Sequence, residues 1–201
     1  MSTITPDVER STREELGSGK RVPGEIGVWI FVLADLVIFG ILFAAVLVMR
    51  GDDPAVFAEG REHLSQGLGL LNTLILLTSS MFVVLGVDAA REGRGSTARA
   101  LFAAGVACGL AFIGVKAIEW GGHLSDGFTA HSNDFYMMFY VTTGVHLLHV
   151  VIGMAGLLGV RAMVRNGIDP QRRALVESGG IYWHMVDLLW LVIYALFYLA
   201  V

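Results

Sequence analysis

The residues able to do chemistry stand out because their surroundings are apolar. In the run from Glu25 to Met49, EIGVWIFVLADLVIFGILFAAVLVM, Asp35 is the one charge past the first residue. Ten residues into a helix, at about 1.5 Å per residue, it lies about 15 Å along the axis. An ionised carboxylate at that depth in hydrocarbon costs about 2.5–3.5 kcal/mol, so it must be paired, hydrated or protonated. It reads as a proton-exchanging or partner-facing carboxylate, against an aspartate hydrogen-bonded inside a bundle for registry alone. His146 and His149, three apart in another uncharged run, share one helix face. They could ligate a metal or haem iron if a third ligand met them. No carboxylate or cysteine accompanies them at ligand spacing, which favours a hydrogen-bonded buried pair instead. His184 and Asp187 repeat the spacing near the C-terminus, where a His–Asp hydrogen bond would neutralise both. Lys116 and Glu119 form a third such pair, either an intrahelical ion pair or one in which Glu119 faces a partner subunit.

These residues must be held by membrane helices. Of 201 residues, 55% are hydrophobic and 16% charged, with a mean hydropathy of +0.65, more apolar surface than a water-soluble chain of this length uses. Five runs are long enough to span a bilayer: Glu25 to Met49, Gly67 to Val87, Ala100 to about Gly122, Phe135 to Val160, and Ile181 to Val201. Residues 50–66 read as a polar connection, 88–99 and 161–179 as loops, and Asp169-Pro170 as a turn signal. The expected fold is all-α, an integral bundle of five transmembrane helices over residues 23–201, preceded by a polar, flexible tail at 1–22 that shows no signal-peptide pattern.

Eleven basic residues fall in the tail and the second and fourth loops, against two, Arg50 and Arg61, on the other side, with Lys116 inside a helix. The positive-inside rule then puts the N-terminus in the cytoplasm and the C-terminus outside, in a bacterial-type inner membrane. Trp29 and Trp183 near one boundary, and Trp120 and Tyr198 near the other, read as interfacial belts. Trp29, Trp183 and Trp190 are candidates for lipid or partner contact. Gly105, Gly109 and Gly153 are candidates for close approach to another helix, a partner or lipid.

Other functions are disfavoured. The net charge is −4 with no basic stripe, so nucleic acid is not a partner. Cys108 is the single cysteine, which excludes an intrachain disulfide and argues against a thiolate metal site. No nucleophile stands beside a histidine at triad-like spacing and no phosphate loop follows a strand, so no catalytic residue is assigned.

Two stretches carry a resemblance. Thr142-Thr-Gly-Val-His-Leu-Leu-His-Val-Val-Ile-Gly153 and Tyr182-Trp-His-Met-Val-Asp-Leu-Leu-Trp-Leu-Val-Ile-Tyr194 resemble the signature helices of subunit III of haem–copper oxidases, following its Thr-Gly-x-His-x-x-His-Val and Tyr-Trp-His-x-Val-Asp-x-x-Trp patterns. Leu71-Asn-Thr73, Thr78-Ser79-Ser80 and Glu119 add to it, and Asp35 stands where the family carries a buried carboxylate, usually glutamate. The resemblance implies a non-catalytic subunit beside catalytic subunit I and subunit II. That subunit would stabilise them, hold structural phospholipid and assist proton uptake, with haem and copper held by the partner subunits and no metal bound here. Pro23-Gly-Glu-Ile-Gly-Val-Trp-Ile-Phe31 looks most like a five-helix branch that includes accessory proteins of nitric oxide reductase, so its subunits are the alternative partners. A third reading, a stand-alone haem- or metal-binding membrane protein, would use His146, His149 and His184.

Overall fold

A computed structural model describes residues 24–164 and 170–199. The tail at 1–22, the Asp169 half of the expected turn and the last two residues of the expected fifth helix lie outside the described residues. The chain forms α1 (Ile26–Asp52), α2 (Pro54–Glu62), α3 (Gln66–Arg91), α4 (Gly95–Ser125), α5 (Asp134–Met163) and α6 (Pro170–Tyr194), ending in a π-helical turn at Ala195–Leu199. There is no strand among the described residues. Five of the helices, all but α2, are long and apolar enough to cross a membrane, so the all-α, five-span fold expected from the sequence is the one formed.

The spans run a turn or so beyond their apolar cores because polar caps finish them. Ser65 accepts a hydrogen bond from Leu68 N at the start of α3, and Asn133 accepts one from Tyr136 N at the start of α5. At the end of α3, Gly93 takes φ +76, which lets Arg94 N reach Ala89 O and Gly93 N reach Ala90 O. Gly127 closes α4 in the same way, with Phe128 N on His123 O. The connection at 50–66 is not wholly irregular: α2 occupies it. Its local signal is Asp53-Pro54, where the aspartate accepts from Val56 N as N-cap and proline fills the first helical position. Phe57 meets Phe135 edge-on, and Gly60 lies so close to the same ring that a side chain there would overlap it.

Helices α3 to α6 pack each against the next, and α6 returns to α3, closing a four-helix core. α1 lies outside it against α5 and α6, burying only the stripe Val32, Asp35, Phe39 and Val46. Most of the rest of α1, including Trp29, Phe31 and Ile38, is exposed apolar surface, as a lipid-facing or subunit-facing helix requires. Its first residues are stitched to α6: Gly24 N donates to Glu177 Oε2 and Glu25 N to Ser178 Oγ, each at 3.0 Å. Arg91 of α3 reaches the same glutamate at 2.9 Å. The Gly24 side of the bundle thus joins α1, α3 and α6, and α2 closes the opposite side.

Candidate functional site

Asp35 and His149 meet between α1 and α5. The stripe that turns Val32 and Phe39 toward the core carries Asp35 with them, 4% exposed, and its Oδ2 lies 3.5 Å from His149 Nε2. His149 Nδ1 is 2.7 Å from the Val145 carbonyl. A carbonyl only accepts, so Nδ1 carries hydrogen and, in a neutral ring, Nε2 presents a lone pair. A lone pair facing an ionised carboxylate is repulsive. The contact is favourable only with one proton in it, either as a carboxylic acid facing imidazole or as a carboxylate facing imidazolium. The ring of Phe39, nearly perpendicular to the imidazole with centroids 5.2 Å apart, closes the pair from the side.

The two histidines of α5 are not hydrogen-bonded to each other. His146 points the other way, fully buried between Phe112 of α4 and Trp190 of α6, with neither ring nitrogen bonded. A three-residue step on a helix turns the side chain by about 60°, enough at this crowded corner to send one ring toward α1 and the other into the core.

His184 and Asp187 do not bond each other either. His184 Nδ1 lies 2.6 Å from Ser80 Oγ of α3. Asp187 is 4% exposed, and neither of its oxygens has a hydrogen-bond partner, although Ser80 lies against it. The Ser80–His184 bond belongs to a polar seam between antiparallel α3 and α6. Trp183 Nε1 donates to Ser79 Oγ at 3.1 Å, and Ser79 donates on to Gly105 O of α4 at 3.0 Å. Trp190 Nε1 donates to Thr73 Oγ1 at 3.0 Å. Ser79→Ala strands a buried indole N–H and is expected to lower stability by about 1–2 kcal/mol; thermal unfolding in detergent reads the change.

The seam corrects two expectations. Trp183 and Trp190, expected at a lipid or partner surface, are fully buried within this chain, and Tyr198, expected in the interfacial belt, is buried too. Trp29 does lie on exposed surface. The glycines work inside the chain: a Cβ on Gly105 would meet Val83 and Ser79, one on Gly109 Met154 and Trp183, and one on Gly153 Trp183 and Tyr182. These are contacts between helices of this chain.

Lys116 and Glu119 form an intrahelical pair at 2.6 Å with both side chains 2% exposed, so Glu119 turns its carboxylate into this chain. Tyr198, unnoticed in the sequence as a third member, completes a cycle: Lys116 Nζ donates to its hydroxyl at 2.8 Å, and that hydroxyl donates to Glu119 Oε1 at 2.7 Å. The ammonium also lies over the rings of Phe139 and Trp190, each 4.8 Å away. The wider π-helical turn at Ala195–Leu199 carries Phe197 and Tyr198 inward.

Among the described residues, no group of three or more His, Cys, Asp or Glu side chains is gathered as a metal site needs. His146, His149 and His184 face three different neighbourhoods.

Comparison with known proteins fits this arrangement. The family profile described as cytochrome c oxidase subunit III matches residues 21–200. Cytochrome c oxidase subunit 3 of Thermostichus vulcanus is 34% identical over 87% of this chain and 86% of its own length. Cytochrome bo(3) ubiquinol oxidase subunit 3 of Pseudomonas aeruginosa is 29% identical over 86% of the chain and 83% of its own length. A protein of Aeropyrum pernix named heme-copper oxidase subunit I+III is 29% identical over 86% of the chain, which spans 22% of that longer polypeptide. With five membrane helices, two signature helices packed in one bundle and these relatives, the chain belongs to the cytochrome c oxidase subunit III family, the non-catalytic membrane subunit of haem–copper oxidases.

Proposed function

We propose that the chain stabilises catalytic subunit I, alongside subunit II, and assists its proton uptake through the Asp35–His149 pair. The observation that carries this reading is a buried carboxylate 3.5 Å from an imidazole whose other nitrogen is committed to a carbonyl. Asp35 sits on the one span packed outside the four-helix core and meets His149 of α5 across the α1–α5 contact, so the pair lies next to whatever covers α1. The relative that joins subunit I and subunit III in one polypeptide supports subunit I as the neighbour. Haem and copper are held by the partner subunits in this reading.

Orientation follows charge. Among the described residues outside the spans' interiors, Arg91, Arg94, Arg99, Arg161, Arg172 and Arg173 lie toward the Gly24 side and Arg50 and Arg61 toward the other, which favours a cytoplasmic N-terminus and external C-terminus in a bacterial-type inner membrane. A cavity of about 240 Å³ on the α2 side, with Arg50 and Arg61 over an apolar lining of Phe57, Phe135, Leu196 and Phe197, supports a role in holding structural phospholipid.

Purification in mild detergent is expected to bring down a haem-containing subunit; a lone, metal-free chain would count against the assignment. Asp35→Asn is expected to leave that complex assembled while turnover falls several-fold or activity decays sooner during turnover. Unchanged turnover and lifetime would make Asp35 a packing residue. Deleting the gene and measuring oxygen and nitric oxide consumption separately distinguishes an oxidase from a nitric oxide reductase partner, and loss of oxygen consumption is the expected result.

A further inference from the structure

The Asp35–His149 pair leaves one buried carboxylate unused. Asp187 sits on α6 in the closed four-helix core, away from α1, and both its oxygens lack a hydrogen-bond partner. Such a group is either a defect or an acceptor reached by some route. A route is visible in the helix geometry. A crevice of about 220 Å³ enters between α3 and α6 from the Gly24 side, with Asp88, Arg91 and Glu177 at its mouth and His184 at its inner end. Each wall is a single helical stripe: positions 91, 88, 87 and 84 of α3 face positions 177, 180, 181 and 184 of α6. Continuing both stripes by one turn brings Ser80 on α3 and Asp187 on α6. The 2.6 Å contact between Ser80 Oγ and His184 Nδ1 closes the floor of the crevice, and Asp187 follows His184 on the same stripe of α6.

We propose that this crevice is a proton-access site, in which His184 and Ser80 connect water on the Gly24 side with the Asp187 carboxyl. The transfer balances. A proton from crevice water adds to His184 Nε2. The hydrogen on Nδ1 passes to Ser80 Oγ, and the serine's own hydrogen passes to an Asp187 oxygen once the Ser80 hydroxyl turns toward that carboxylate. One proton has then moved from water to the carboxylate, His184 is neutral with its hydrogen on Nε2, and Ser80 is again a hydroxyl. Rotation of the imidazole, or return of the proton by the same path, resets the relay. The charged groups facing this path are Asp88 and Arg91 from α3 and Glu177 from α6, with Arg91 paired to both acids. Among the described residues these are the charged groups lining the crevice. Arg91 bridges the two carboxylates at its mouth. The site shares no residue with Asp35–His149, so it stands or falls independently of the uptake role proposed above.

The test is infrared spectroscopy of the full chain in lipid bilayers, titrated across the neutral range and then moved from H2O to D2O. The expected result is a protonated-carboxyl C=O stretch that is absent in Asp187→Asn, retained in Asp35→Asn, and shifted by deuterium. His184→Phe, which fills the floor of the crevice and removes the relay nitrogen, is expected to slow the shift by at least about tenfold. Ser80→Ala is expected to do the same, whereas Ser80→Thr, which keeps the hydroxyl, retains fast exchange. The proposal is overturned if no band depends on Asp187 anywhere in the titration, or if the band exchanges as fast in His184→Phe and Ser80→Ala as in the unsubstituted chain.

Discussion

Glu119→Ala is expected to lower the stability of the chain by about 3–5 kcal/mol, because it leaves a buried ammonium with no counter-charge. Lys116 cannot move to water: its side chain is 2% exposed and ringed by Phe139, Trp190 and Tyr198. Cation–π contact offsets part of the loss, about 2 kcal/mol when desolvated, and the hydroxyl of Tyr198 remains as acceptor. Neither replaces a carboxylate at 2.6 Å. The double substitution Lys116→Met with Glu119→Leu removes both charges, and its expected stability lies closer to the unsubstituted chain than to Glu119→Ala, since the desolvation of two ions disappears with the pair. Thermal unfolding in one detergent of the unsubstituted chain, Lys116→Met, Glu119→Leu and the double variant measures the coupling, with Glu119→Ala run beside them. If Glu119→Ala unfolds at the same temperature as the unsubstituted chain, or the double variant is as unstable as the single, the cycle is not a buried ion pair in energetic terms.

The pair itself was legible because it is local: a lysine and a glutamate three apart on a helix face each other whatever surrounds them. The five spans were legible for a similar reason, since length and apolar content are properties of each segment alone. Rotation about each helix axis was not. In a soluble protein the polar face of a helix marks its outside, but a membrane helix is apolar both toward lipid and toward its neighbours. Trp183, Trp190 and Tyr198 therefore carried no sign of which way they face, and an interfacial reading of Trp183 and Tyr198 followed from position along the span when all three are buried. The same blindness hid every partner across helices. Asp35 with His149, Ser80 with His184 and Tyr198 with Glu119 are separated by 79 to 114 residues in the sequence, and no periodicity encodes such a pairing. The helix α2 was missed for another reason. Its nine residues are too short and too polar to show a stripe, leaving Asp53-Pro54 as its one readable sign.

Gly153→Leu is expected to cost at least about 3 kcal/mol, and the reason lies in how one tryptophan joins four helices. The indole of Trp183 lies flat enough against α5 that even a methyl on Gly153 would come within 2.8 Å of Cε3, and its far edge would lie 3.1 Å from a methyl on Gly109 of α4. Its Nε1 donates to Ser79 of α3, which donates to Gly105 of α4. The ring can neither retreat nor tilt without losing those bonds. Gly153→Ala should therefore cost about 1–3 kcal/mol as an overpacked contact. Leucine at the same place must expel the indole, and the loss then approaches the cost of deleting it, about 3–5 kcal/mol for a buried aromatic. Trp183→Phe separates the two contributions: it keeps most of the ring, gives up the hydrogen bond to Ser79, and leaves room for a methyl, so Gly153→Ala is expected to be milder in that background than alone. Thermal unfolding of Gly153→Ala, Gly153→Leu, Trp183→Phe and the Trp183→Phe/Gly153→Ala double variant checks the order, and a Gly153→Leu chain as stable as the unsubstituted one would refute the wedge. Because the helix that carries Trp183 also carries Glu177, whose carboxylate caps Gly24 N and pairs with Arg91, displacing the tryptophan should loosen α1 as well. The Gly153→Leu chain is accordingly expected to recover less of the haem-containing partner in mild detergent than Gly153→Ala does.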